Sequence, residues 1–307
     1  MMPRGEAPGW TDQPGDWFQA RAGDTVPGQV LPERPAGPGR PGRVGYPLRP
    51  RRRWLTVLRR TLAVLSVLVL LGAVGFGGLL VVTPSVGDAR MLAQGQDSSH
   101  GVPYPGAAVP ARFAAALVAT EDHRFYHDPG LDPIAVVRVA WGYLRGNGSQ
   151  QGGATITQQL AKMLYTPGQS SLKAEAEQIA VAVKLNFSYT KAQILQMYAD
   201  VAYYGQNYYS LGAASCGYFG VPPSGLSWSQ AALMAGIVQS PSSYDPVTNP
   251  TLAHAREAHV LSRLVATGAL TQAQGSAALA QSLNVVPRDQ ALAAPANGSA
   301  SCGGAVR

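Results

Sequence analysis

"QGGATITQQLAKMLY", Gln151 to Tyr165, decides the fold class. Ile156, Leu160, Met163 and Leu164 recur at helical spacing and form one apolar stripe, which leaves Thr157, Gln158 and Lys162 free to face a groove. Thr155 and Gln158 have the spacing of a capping box, where each side chain satisfies an amide that a helix start otherwise leaves alone. The same spacing returns at Thr190 with Gln193, Ser227 with Gln230 and Thr271 with Gln274. Asp132-Pro133 and Asn249-Pro250 add cap-plus-proline starts, and Gly146, Gly220 and Gly268 add stops. Sustained period-two alternation is missing, so the expected class is all-α, mainly helical. Gly152 and Gly153 precede this helix and would bare its first amides to an anion such as a phosphate, although a glycine pair before a helix is commonly just a loop. The spacing of a nucleotide-binding loop does not occur.

On the amino-terminal side lies "ATEDHRFYHDPG", Ala119 to Gly130. Pro110 opens a short helix in which Phe113 and Leu117 share a face, and that helix should end near Glu121. A carboxylate there meets the negative end of the helix dipole beside Phe125 and Tyr126, a setting that suits a proton acceptor. We expect a cleft acid facing solvent, whose replacement costs the fold little. The plainer reading makes Glu121 and Asp122 solvated helix-end acids pairing with Arg124.

On the other side, "SSLKAEAEQIAVAVKL", Ser170 to Leu185, predicts a helix burying Leu172, Ala176, Ile179 and Val183. Lys173, Glu177 and Lys184 then share a second face, with Glu175 pointing elsewhere. Two cations around one acid suit a diphosphate or a bound metal, and suit a surface ion-pair row equally well. Farther on, Tyr203, Tyr204, Tyr208 and Tyr209 surround Gly205; such aromatics line sugar grooves or pack in cores.

The 307 residues carry a formal charge of +7, with arginines crowded into the first sixty. No nucleic-acid-binding motif accompanies them, so nucleic acid is not an expected partner. Thr61 to Val82 holds no charge and is long enough to cross a hydrocarbon core of roughly 30 Å. Arg51, Arg52, Arg53, Arg59 and Arg60 precede it, with Trp54 at the interface, which predicts a cytoplasmic amino terminus and an extracytoplasmic body. A cleaved signal peptide is the rival, but its apolar core runs only about 7–15 residues. The expected layout is a disordered basic tail over 1–60, an anchor over 61–82, a linker over 83–102, the folded domain over 103–288 and a flexible end over 289–307. Cys216 and Cys302 imply no disulfide framework and are expected to be unpaired.

Taken in order, "EDHRFYHDPGLD", "GGATITQQLAK", the Lys173–Lys184 helix, "KAQILQMYADVAYYG", "AASCGYFG", "AALMAGIVQSPSSYDP" and "AREAHVLSRLVATGAL" resemble the motifs of glycosyltransferase family 51. This family comprises the transglycosylase domain of class A penicillin-binding proteins and the monofunctional biosynthetic peptidoglycan transglycosylases. The resemblance covers about Val102 to Leu283. It implies a lysozyme-like transglycosylase domain after a single transmembrane helix, acting on lipid II and the nascent glycan chain at the cell membrane. It implies Glu121 as the general base and Glu177 as the second acid, near the leaving diphosphate, directly or through Mg2+ or Mn2+; a metal requirement stays open. Lys162, with Lys173 or Lys184, would neutralise the developing charge. Asp122, Phe125, Gly152, Gly153, Thr155, Thr157, Gln158 and Gln159 would shape the substrate cleft. Other cell-wall synthesis proteins are implied as further partners.

The sequence departs from the family's pattern at four places. Asp128 stands where a histidine is usual, with His127 one place earlier, and Ala154 replaces a serine. Leu172 and Lys173 precede Glu177 by one residue more than usual, and Tyr198-Ala199-Asp200 replaces Y-L-N. Downstream of Leu283 neither S-x-x-K followed by S-x-N nor K-T-G occurs, so a monofunctional enzyme is expected. The alternatives are a lysozyme-like glycan hydrolase or lytic enzyme, and a non-catalytic membrane scaffold of the wall machinery.

Overall fold

The computed structural model describes residues 51–128, 154–286 and Cys302. The tail expected over 1–60 is described only from Arg51 on, and the flexible end expected over 289–307 only at Cys302, while Asp132-Pro133, Gly146, Gly152 and Gly153 lie outside the described residues. In chain order the described helices are α1 (Arg51–Val82), α2 (Ala89–Ser99), α3 (Ala111–Glu121), α4 (Ile156–Tyr165), α5 (Leu172–Ser188), α6 (Lys191–Val201), α7 (Leu211–Phe219), α8 (Trp228–Ile237), α9 (Pro250–Ala266) and α10 (Gln272–Leu279). No strand occurs among the described residues beyond one isolated bridge between Tyr203 and Tyr209. The class is all-α.

Each of the four capping boxes forms. Thr155 Oγ1 accepts from Gln158 N at 3.1 Å while Gln158 Oε1 accepts from Thr155 N at 3.0 Å, and α6, α8 and α10 open in the same way. Such a cap contributes about 1 kcal/mol, enough to fix where a short helix begins. Asn249 and Pro250 open α9. Gly220 stops α7 at φ 67°, and Gly268 follows α9 at φ 77°.

α1 ends at Val82 as expected but begins at Arg51, because the arginine-rich flank continues the helix. Its most apolar window has a mean hydropathy of 2.6 and is wholly unburied, so α1 is long and apolar enough to cross a membrane. Two other expectations change. The stretch 83–102, expected as a linker, contains α2, whose Ala89 and Ala93 are fully buried. Alanines four residues apart enter the core with so little apolar area that hydropathy does not announce them. In α5 the buried residues are Ala174, Ala180, Val181, Ala182 and Leu185, whereas Leu172 is 62% exposed. The helix turns its alanine-rich side toward α4, against which it packs, and leaves the bulkier first-turn leucine outside.

The core is continuous from α2 to α10. α8 is buried from Ser229 to Ile237 and packs against α3 and α9, while α4 packs against α5 and α6. These contacts bring the carboxyl end of α3 between α4 and α9. Of the tyrosines around Gly205, Tyr204 and Tyr208 are core residues. The Tyr208 ring presses so closely on Gly217 that a Cβ there would lie 2.2 Å from it.

Cys216 and Cys302, expected to be unpaired, form a disulfide across 86 residues. Cys216 is buried on α7, a setting in which an apolar thiol and a half-cystine look alike from composition.

Candidate active site

Glu121 is the last residue of α3, and both of its carboxylate oxygens are held. Oε2 accepts from Gln159 Nε2 at 3.0 Å, and Oε1 accepts from Arg256 Nη2 at 3.2 Å, an ion pair with side chains 13% and 9% exposed. Each oxygen has two lone-pair directions, so one donor apiece leaves room for an incoming proton. The expectation of a solvent-facing acid is therefore corrected: Glu121 is largely enclosed, because α4 and α9 close over the end of α3. Gln159 is itself fixed, since its Oε1 accepts from the Tyr198 hydroxyl at 2.9 Å. Burial, and then the charge of Glu121, push the Tyr198 phenol well up, so it remains a donor.

Arg256 is positioned as carefully as the acid. Its Nε donates to the Gly236 carbonyl at 3.1 Å, and its guanidinium lies over the Tyr244 ring at 5.4 Å. A Cβ at Gly236 would meet Arg256 Cγ at 2.7 Å, so glycine there admits the arginine stem. One α9 turn pair later, Arg263 Nε donates to the Ala119 carbonyl at 3.2 Å, which satisfies an end carbonyl of α3. Burial, with Arg256 and Arg263 next, lowers the pKa of His259 between them, so a neutral imidazole is favoured there.

Asp122 Oδ2 accepts from the Ile156 amide at 3.3 Å, joining the end of α3 to the start of α4. Burial raises its pKa, with Asp128 adding to the effect, against the Ile156 amide and Lys191. Lys191 donates to the Asp128 carbonyl at 2.5 Å and to Asn186 Oδ1 at 2.6 Å, with its ammonium 4.5 Å from the Phe125 ring centre. Burial lowers its pKa, partly offset by Asp128 and Asp122.

The remaining expected site residues divide. Thr155 and Gln158 build the start of α4, so the Gln158 side chain folds back instead of facing a groove. Thr157, expected to face a groove, is 1% exposed and its hydroxyl has no partner among the described residues, because the first turn of α4 is buried. Phe125 is fully buried. Lys162 and Lys173 are exposed on α4 and α5, and Glu177 is half-buried on α5. Lys184 turns away from this group: its ammonium donates to the Thr83 and Pro84 carbonyls at 2.7 and 2.9 Å. Gly152 and Gly153 lie outside the described residues. No group of three or more His, Cys, Asp or Glu capable of holding a metal ion occurs among the described residues. Among the described residues Glu177 has no such group around it, and with those residues alone a Mg2+ or Mn2+ there would need substrate oxygens and water.

Arg256 and Tyr198 were not anticipated. Their signals are faint: "AREAHVLSRL" places Arg256, His259 and Arg263 three and seven residues apart on one helical face, and Tyr198 sits in an apolar run where only the fold reveals what its hydroxyl meets.

Comparison with known proteins identifies the family. The family model described as Transglycosylase matches residues 88–265. Penicillin-binding protein 1A of Aquifex aeolicus is 36% identical over 177 residues, covering 58% of this chain and 24% of that protein. Its counterpart in Mycolicibacterium smegmatis is 32% identical over 263 residues, covering 79% and 33%, and that of Escherichia coli is 32% identical over 197 residues, covering 64% and 23%. The chain therefore spans about a quarter to a third of the length of these relatives.

Proposed function

Because this chain belongs to the transglycosylase family, we propose that it is a membrane-anchored peptidoglycan glycosyltransferase, polymerising lipid II with release of undecaprenyl diphosphate. The observation that carries the reading is the carboxylate of Glu121, enclosed at the end of α3 and held by Gln159 and Arg256.

In this mechanism Glu121 takes the proton from the 4-hydroxyl of the acceptor sugar as that oxygen attacks the anomeric carbon of the lipid-linked donor. The new glycosidic C–O bond forms while the anomeric C–O bond to the diphosphate breaks, with inversion, and the electron pair leaves on the diphosphate. Lys162 and Lys173 offset the charge that develops there. Lys184 is assigned instead to the junction with α1. Gln159 and Arg256 keep the carboxylate aimed, Asp122 ties the start of α4 to α3, and Glu177 lies on the diphosphate side of the cleft.

The arginines before Leu62 and the uncharged run to Val82 support an anchor with its amino terminus in the cytoplasm and its transferase body outside. Within these 307 residues the reading is glycosyl transfer alone. Incubating the full chain with labelled lipid II tests it: long glycan and free undecaprenyl diphosphate are expected. Cleavage of preformed glycan without polymer would replace the transferase with a lytic enzyme, and neither product would leave a scaffold.

A further inference from the structure

Glu257 is fully buried on α9 and takes no part in the chemistry above. Its carboxyl is built into the contact between α8 and α9. Oε1 accepts from the hydroxyl of Ser229, itself fully buried on α8, at 2.6 Å. Oε2 lies 3.0 Å from Nδ1 of His254, whose side chain is 58% exposed. Burying a carboxyl costs free energy that such partners only offset, and an apolar side chain of similar volume often stabilises the same place as well or better. Packing alone therefore does not call for a glutamate here; what its bonds add is direction.

The residue before it in the chain is Arg256. Successive side chains on an α-helix leave its axis about 100° apart. The Arg256 Nε bond to the Gly236 carbonyl and the Glu257 bond to Ser229 thus grip α8 from two directions, at points about two turns apart along it. Two such grips fix how α9 is rotated about its own axis. That rotation decides where the Arg256 guanidinium meets Glu121 at 3.2 Å, and the close approach at Gly236, where a Cβ would stand 2.7 Å from Arg256 Cγ, leaves the arginine stem little room to compensate. We propose that Glu257, with Ser229 and His254, is a positioning element for the transfer reaction: it sets the rotation of α9 and so aims Arg256 at the carboxylate of Glu121. Its kinetic consequence rests on the proposed transferase reading, whereas its effect on Arg256 does not. A misplacement of about 1 Å in a group that orients the reacting centre costs on the order of 10²-fold in rate, so a partial roll of α9 is measurable in turnover.

The test uses the full chain with its disulfide intact. Glu257→Met, unbranched and apolar, and Glu257→Gln, which keeps the shape, are each made alone and together with Arg256→Gln. Modification of Arg256 by phenylglyoxal, followed by mass spectrometry of its peptide, reports the guanidinium without turnover. It should run several-fold faster in Glu257→Met than in the wild type, while Arg112, held by the Leu226 carbonyl and the Trp228 ring at the start of α8, reacts as before. With lipid II, kcat should fall about 10-fold in Glu257→Met and less in Glu257→Gln, with KM little changed, on the scale of a partial misplacement. Neither change should lower kcat further beside Arg256→Gln, since the group it aims is already gone. An Arg256 reactivity that stays at the wild-type level, or that rises together with Arg112, would overturn the proposal. So would an unchanged kcat in both single variants of an active enzyme, or a loss that persists undiminished beside Arg256→Gln. If Arg256 reacts as expected but the wild type makes no polymer, the transferase reading fails while the aiming of Arg256 by Glu257 stands.

Discussion

Glu121 and Arg256 are separated by 135 residues yet share a hydrogen bond at the rim of the core. Replacing Arg256 by glutamine removes the positive partner and lets the carboxylate turn away from the acceptor. We expect kcat for lipid II polymerisation to fall on the order of 10²-fold, the scale of an ångström of misplacement, with KM little changed. Arg256→Lys should recover part of kcat, since the charge returns without the paired bonds to Glu121 and the Gly236 carbonyl. Stability should drop by about 1.5–3 kcal/mol, the worth of hydrogen bonds to charged groups. Equal losses in kcat for the glutamine and lysine variants, matched by equal losses in melting temperature, would mean that Arg256 serves the fold alone. At this scale the sequence tells half the story. Gln159 lies in a motif that reads plainly, whereas Arg256 looks like any helical surface arginine until α3 and α9 are brought together.

α2 and α6 meet over two buried acids, Asp97 and Asp200, 1% and 2% exposed, each with one oxygen lacking a partner. Burial, reinforced by Asp200, raises Asp97 from 3.8 to about 7. Burial raises Asp200 to about 6, against hydrogen bonds from Gln196 and the Gly106 amide. Tyr104, whose hydroxyl is pushed up by burial first and then by Asp200 and Asp97 against Arg90, completes the surroundings. Both acids sit above their unfolded values, so the stability they lend is full below about pH 4 and is lost as pH climbs through 6 to 7. Asp97→Asn should therefore gain melting temperature over the wild type between pH 5 and pH 8, by ~2–4 °C for each kcal/mol relieved. A gap that stays constant over that range would contradict the assignment. Elements with side-chain punctuation were legible: four capping boxes placed α4, α6, α8 and α10. α2 was not, because it buries two alanines and an aspartate, none of which hydropathy marks as core, and the buried side of α5 was misplaced because alanines outcompeted Leu172 for the close approach to α4.

At the scale of the whole molecule, the residues after α1 are tied to the folded helices by hydrogen bonds from Lys184 and Tyr189. On the proposed function, these bonds would hold the transferase body where a lipid-linked donor reaches it. A disulfide between Cys216 and Cys302 agrees with an extracytoplasmic body, since such bonds persist in oxidising compartments. Protein purified from membranes and denatured without reductant should take up no iodoacetamide, and two equivalents after reduction; uptake before reduction would deny the bond. This pairing was beyond the sequence, which offers two cysteines and no geometry. The overall class and the order of motifs were within it, since periodicity and caps are local and the contacts between distant helices are not. The central claim, that Glu121 accepts the proton, is tested most directly by Glu121→Gln, which keeps the shape and one acceptor oxygen for the donors at its end. With labelled lipid II, polymerisation should fall by about 10²–10⁴-fold, while the melting temperature drops no further than in Arg256→Gln, which breaks the same ion pair; a folded variant that polymerises at the wild-type rate would contradict it.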